Sequence, residues 1–92
     1  MTNAAEKEGG IHIVHLGGDK YMATWTDYAV PGARAGKPRM CNGRAGVDDF
    51  LKAMDVNADE RKRVESALSA SNVVTIPRVR LTEKQLKKLG LV

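Results

Sequence analysis

Cysteine occurs once in the 92 residues, at Cys41, so no internal disulfide can form. A chain of this size without a disulfide framework depends on its own core, and a single thiol fits a reducing, cytoplasmic setting. Aromatic residues are equally scarce, with one Phe, one Trp and two Tyr. Val, Ile, Leu, Met and Ala must therefore fill the interior. No apolar run approaches the roughly 20 residues needed to span a bilayer. The opening MTNAAEKEGG lacks the apolar stretch of a signal peptide. Acidic residues number 11 against 15 Lys and Arg, a net charge of +4. That excess permits a polyanionic partner and does not require one. With 42% hydrophobic and 28% charged residues, the chain is too apolar for wholesale disorder and short enough for one domain. Residues 1–10, small, polar and ending in two glycines, read as a flexible tail before a single domain over 11–92.

Two runs rich in β-branched and aromatic residues, Ile11–Leu16 and Tyr21–Tyr28, flank Gly17-Gly18 and predict a hairpin. A loop of two or four residues puts His12, Val14, Leu16, Tyr21, Ala23 and Trp25 on one face, and Ile11, Ile13, His15, Met22, Thr24, Thr26 and Tyr28 on the other. Neither face is clearly wet in the first strand, which predicts a strand covered on both sides or central in its sheet. Ala29–Gly36 reads as a loop, and Lys37–Asn42 as a short third strand that Pro38 either puts at an edge or delays in starting.

Val47, Phe50, Leu51 and Met54 repeat at helical spacing and predict a helix over Val47–Met54, with Asp48 and Asp49 in its first turn. Asn57 and Glu60 form a capping signal for a second helix, Ala58–Ala70, in which Arg61 is spaced to pair with Glu65. Val73–Leu81 reads as a strand in which Pro77 predicts an edge position or a bend. Thr82 with Gln85 predicts a capping box for a last helix, and Gly90 a left-handed C-cap that folds Leu91 back on Leu86. The expected fold class is α+β: an antiparallel three-stranded meander with two packed helices, an added edge strand and a C-terminal helix. Its expected core is Ile13, Val14, Trp25, Phe50, Leu51, Met54, Val64, Leu68, Val74, Ile76 and Leu86.

No residue pattern points to catalysis, and no cofactor or metal is expected. His12 and His15 are three apart in a strand and point to opposite faces. Cys41 with His15 would supply two ligands where zinc takes three or four. No third group signals a nucleophile pair. Gly17-Gly18-Asp19-Lys20 lacks the spacing of a phosphate loop and leads into a strand. Adjacent Asp48 and Asp49 are explained by helix capping.

The basic residues are the functional lead. Between Ala29 and Val47 stand Arg34, Lys37, Arg39 and Arg44 with no acid among them, and Arg61, Lys62 and Arg63 follow on the second helix. Glycine-rich loops and edge strands leave such residues free to meet a phosphate backbone. Intervening acids, five between Asp48 and Glu60, make the surface mixed. Trp25 is expected in the core, and Tyr28 at a strand end. KYMATWTDY, then GKPRMCNGR, then VDDFLKAM give a Tyr/Trp-bearing second strand, a basic third strand and a helix. In that order and composition about half of the chain resembles the arm-binding domains of phage integrases, a likeness of layout without a diagnostic motif. The Val73–Val92 extension departs from that layout.

The expectation is thus a small basic non-enzymatic binding module, associated with nucleic acid through Arg34, Lys37, Arg39, Arg44, Arg61, Lys62 and Arg63. The alternative is a protein-binding adaptor or inhibitor, of the kind phage or other mobile elements encode, using a sheet edge or a patch around Tyr28 and Val30. Homodimerisation through a free edge strand is compatible with both.

Overall fold

The structure, a computed structural model, describes residues 6–29 and 37–92. Arg34 and Val30, both expected at binding sites, lie outside the described residues. The element order is β1 (Glu6–Gly17), β2 (Lys20–Asp27), β3 (Arg39–Asn42), α1 (Gly43–Ala53), α2 (Ala58–Ser71), β4 (Val73–Thr82) and α3 (Glu83–Lys88). The strands form one antiparallel sheet in the order β3-β2-β1-β4. The fold is α+β, with the meander β1-β2-β3 and β4 added at the edge beside β1.

One face of the sheet carries the core. Ile11, Ile13, Tyr21, Ala23, Trp25, Cys41, Ile76 and Leu81 point into it and meet Val47, Phe50, Leu51 and Met54 of the α1 region, Val64 and Leu68 of α2, and Leu86, Leu89 and Leu91 at the C-terminal end. Helical spacing on α1 and α2 thus does what it predicts, turning one apolar stripe of each helix to the sheet. The caps also form as the residues dictate. The Asn57 side chain accepts from the Glu60 amide. Thr82 and Gln85 form the reciprocal box. Gly90, at φ 76°, lets the Leu91 amide donate to the Leu86 carbonyl at 2.9 Å, which buries Leu91 completely.

The hairpin faces differ from the expectation. Ile11 pairs with Trp25, Ile13 with Ala23 and His15 with Tyr21, whereas Gly17 pairs with Lys20. One extra residue, Leu16, is therefore accommodated on β1 beside the turn. Gly17 and Gly18 take positive φ there, and the bulge shifts parity by one along the whole hairpin. Ile11, Ile13, Tyr21, Ala23 and Trp25 share the buried face. Val14, expected in the core, is half-buried on the opposite face, and Val74 is partly buried at the core margin. β1 thus has one clearly covered face, and it is central in its sheet, between β2 and β4, as the second of the two expectations had it.

Three further expectations are corrected. Residues 6–10 are not a loose tail: they extend β1 and pair with residues 79–82 of β4 and, through Gly9 and Gly10, with β2. The two glycines allow this because aromatic side chains lie over them on opposite faces, Trp25 at Gly9 and Tyr28 at Gly10. Helix α1 begins at Gly43, so Asp48 is past its first turn and instead pairs with Lys52 and Arg61 at 3.1 Å each. Arg61 accordingly reaches Asp48, and Glu65 is met by Arg44. The β1–β4 register also shifts between Gly9 and Ile11, opposite Pro77 and Arg78, where Arg78 adopts φ 59°. That bulge follows from Pro77, which cannot donate to a ladder.

Candidate functional site

The basic residues separate once their contacts are drawn. Arg39 points inward from β3: its guanidinium lies over the Phe50 ring, 5.1 Å from the centroid, and Nη1 donates to the Leu89 carbonyl at 2.9 Å. It ties β3 and α1 to the end of α3. Arg44 donates through Nε to the Tyr21 hydroxyl at 2.8 Å and through Nη2 to Ser69 Oγ at 2.9 Å, joining α1, β2 and α2. Arg61 pairs with Asp48 and donates to the Val56 carbonyl at 2.7 Å, fastening the link between α1 and α2. These three arginines are brackets of the fold. Lys37 and Lys62 are exposed and make no ion pair with a described residue, and exposed Arg63 pairs with Glu60. An open groove of about 460 Å³ brings Arg63 beside Arg78 and Arg80, with Asp55 and Glu60 in the same lining. Among the described residues, those the sequence singles out do not gather into a uniform basic surface.

Arg44 offers a direct discrimination. As a bracket, its replacement by alanine costs about 1–2 kcal/mol, the scale of hydrogen bonds made by a partly exposed charged donor. A chemical-denaturation midpoint lowered accordingly is the expected result. An unchanged midpoint together with a shallower salt dependence of DNA binding would instead make Arg44 a phosphate contact.

The histidines and the cysteine do not converge. His15 stacks on the Tyr21 ring at a centroid distance of 4.4 Å, and its Nε2 lies 2.8 Å from the Gly18 carbonyl oxygen. Cys41 pairs with Tyr21 from the other side, so Tyr21 stands between thiol and imidazole. Burial pushes the Cys41 thiol up from its ordinary 9.0, with the charge and hydrogen bond of Arg39 pulling the other way. The thiol thus stays protonated at neutral pH, the opposite of an activated nucleophile. His12 points to the outer face, with Nδ1 3.0 Å from Thr75 Oγ1. Among the described residues, no three His, Cys, Asp or Glu gather as a metal would need, and no helix is long and apolar enough to cross a membrane.

The outer face of the sheet is the feature the sequence reading missed. No described element covers it. Val14 pairs with Val73 on one side and Met22 on the other, and Met22 pairs with Met40. Val73, Val14, Met22 and Met40 therefore form one apolar row across all four strands, with Val73 46% and Met40 54% exposed at its ends. The next row is Thr75, His12 and Thr24, followed by Gly10 and Thr26. Tyr28, 47% exposed, lies over Gly10. None of these residues is Asp, Glu, Lys or Arg. Charge returns beyond the rows, as the Glu8–Arg80 pair at one end and Lys20 at the other. The missed signal was Gly17-Gly18: glycines at a hairpin turn admit a bulge beside it, and one extra residue on β1 aligns Ile11 with Trp25 and Ile13 with Ala23.

Comparison of the chain with known protein families, with curated proteins and with solved structures finds no match. The layout shared with phage integrase arm-binding domains stays a likeness of strand order and composition.

Proposed function

We propose that the chain is a small non-enzymatic protein-binding module whose contact surface is the outer face of its sheet. The observation that carries this reading is the uninterrupted Val73-Val14-Met22-Met40 row. An antiparallel sheet with one solvated face normally alternates apolar inward with polar outward; here four outward positions in register are Val, Val, Met and Met. Methionine and valine beside threonine and tyrosine make a surface that contacts proteins well and phosphate poorly, because it holds no cation. Tyr28, expected as a contact, belongs to this face. The edges are less apt. β4 is interrupted by Pro77 and its bulge, and β3 has four residues, both features that blunt strand addition.

The test is a pull-down from the native host, with and without nuclease. It compares the unaltered chain with Met22→Lys on the face and Lys62→Glu/Arg63→Glu on α2. The expected result is protein capture that survives nuclease, is lost in Met22→Lys and is kept in the α2 variant. Removal of every partner by nuclease, with loss in the α2 variant, would replace this reading with the nucleic-acid one.

A further inference from the structure

We infer that the occupant of the outer face is a second copy of this chain, in a two-fold dimer that stacks sheet on sheet. The inference rests on the reading of that face as a protein-binding surface and names its partner.

Symmetry makes the argument specific. A two-fold contact joins a patch to itself, so the patch must be self-complementary. Consider an axis lying between two stacked sheets, parallel to the strands and midway between β1 and β2. It sets β4 of one copy over β3 of the other, and β1 over β2. Each row then meets its own equivalent. Along the apolar row, Val73 faces the partner's Met40 and Val14 faces the partner's Met22. Every short side chain is thus opposed by a long one, the alternation that lets facing layers interdigitate. Had the row run Val, Met, Val, Met, this axis would also match short to long. Had it run Val, Met, Met, Val, it would set like against like. In the neighbouring row His12 faces the partner's Thr24. Nδ1 of His12 is already engaged with Thr75, and Nε2, without a bond to any described residue, is the atom available to that hydroxyl. A polar row over a polar row leaves hydroxyl and imidazole a way to stay bonded when water is expelled.

Charge points the same way. The chain carries +4, so two copies repel unless they meet where no ammonium or guanidinium stands. The three rows meet that condition. The size suits a weak dimer. With strands about 4.8 Å apart and a rise of about 3.4 Å per residue, the face measures roughly 19 by 20 Å. Two such faces in contact remove at most roughly 800 Å², the size of a weak, concentration-dependent contact. Twisted sheets stack at about −30°, so contact is tightest over the Val14–Met22 centre.

The deciding measurement is the solution mass of the full chain, by sedimentation and light scattering, from micromolar to hundreds of micromolar protein. The expected result is a shift from the 10.0 kDa chain to twice that mass. The dimer should hold in molar salt, since its contact is uncharged. Met22→Lys, and independently Met40→Lys on the more exposed edge strand, should weaken association by about 30-fold or more, the effect of an unpaired ammonium in a desolvated contact. Circular dichroism that matches the unaltered chain shows each variant to be folded, and Lys62→Glu on the opposite layer should leave the mass unchanged. A monomer at every concentration overturns the inference, as does a dimer indifferent to both methionine changes. If the chain is monomeric while Met22→Lys still abolishes capture of another host protein, self-pairing alone fails and the face reading stands. If Met22→Lys changes neither mass nor capture, both fail.

Discussion

Gly9→Ala is expected to cost about 3 kcal/mol or more, the upper part of the range for overpacking a filled site. A Cβ at this position would stand 2.2 Å from the Thr26 carbonyl oxygen and 2.7 Å from two ring atoms of Trp25. Neither neighbour can yield cheaply. The carbonyl is backbone on the neighbouring strand, and the indole is 3% exposed, wedged into the core. Relief requires β1 and β2 to part where Gly9 pairs with Asp27 and the Tyr28 amide donates to the Glu8 carbonyl. A small domain holds about 5 kcal/mol in all, so more than half of its stability should be lost, leaving about 2 kcal/mol and a few per cent of the molecules unfolded. Gly10→Ala is the control. Its Cβ meets the Tyr28 hydroxyl at 2.9 Å, the far end of an exposed side chain that can swing away. Urea denaturation of the two variants checks the ranking, and a Gly9→Ala midpoint at or above that of Gly10→Ala would refute the packing argument.

Phe50→Ala is expected to lose about 3–5 kcal/mol, the cost of removing a buried phenyl and leaving its cavity. Phe50 has no exposure at all, and in an interior with so few aromatic rings nothing nearby is large enough to refill the space. The change also strips the ring from beneath the Arg39 guanidinium, the group that holds the Leu89 carbonyl. The C-terminal turn should therefore loosen ahead of the rest. Hydrogen exchange at the Leu89 and Leu91 amides, bonded to Gln85 and Leu86, should accelerate more than exchange in β2. Phe50→Leu, which keeps most of the volume, should cost distinctly less. Equal acceleration across the sheet would show that Phe50 supports the whole core and not this corner.

Local rules carried much of the architecture. Asn57, Thr82, Gln85 and Gly90 act through neighbours within a few residues, and they do in the fold what their chemistry alone requires. The α1 stripe is read from spacing in the same way. Legibility ended where a single residue changed the count. Leu16 at the bulge inverted the hairpin parity, removing Val14 from the core and bringing Met22 and Met40 into line with it. The contacts of the basic residues were not legible for a related reason. Arg39, Arg44 and Arg61 are bound to Leu89, Tyr21 with Ser69, and Val56 with Asp48, partners between 5 and 50 positions away, and a guanidinium looks the same in sequence whether it meets phosphate or a carbonyl.

The sequence by itself determined the α+β class, the strand and helix order, the caps and most of the interior, because these depend on periodicity and on contacts within a turn. Tertiary structure alone decided which face of the hairpin is buried, which cations are free and which apolar residues stand uncovered. Those outcomes depend on register between strands distant in the chain, where a shift of one residue exchanges inside for outside.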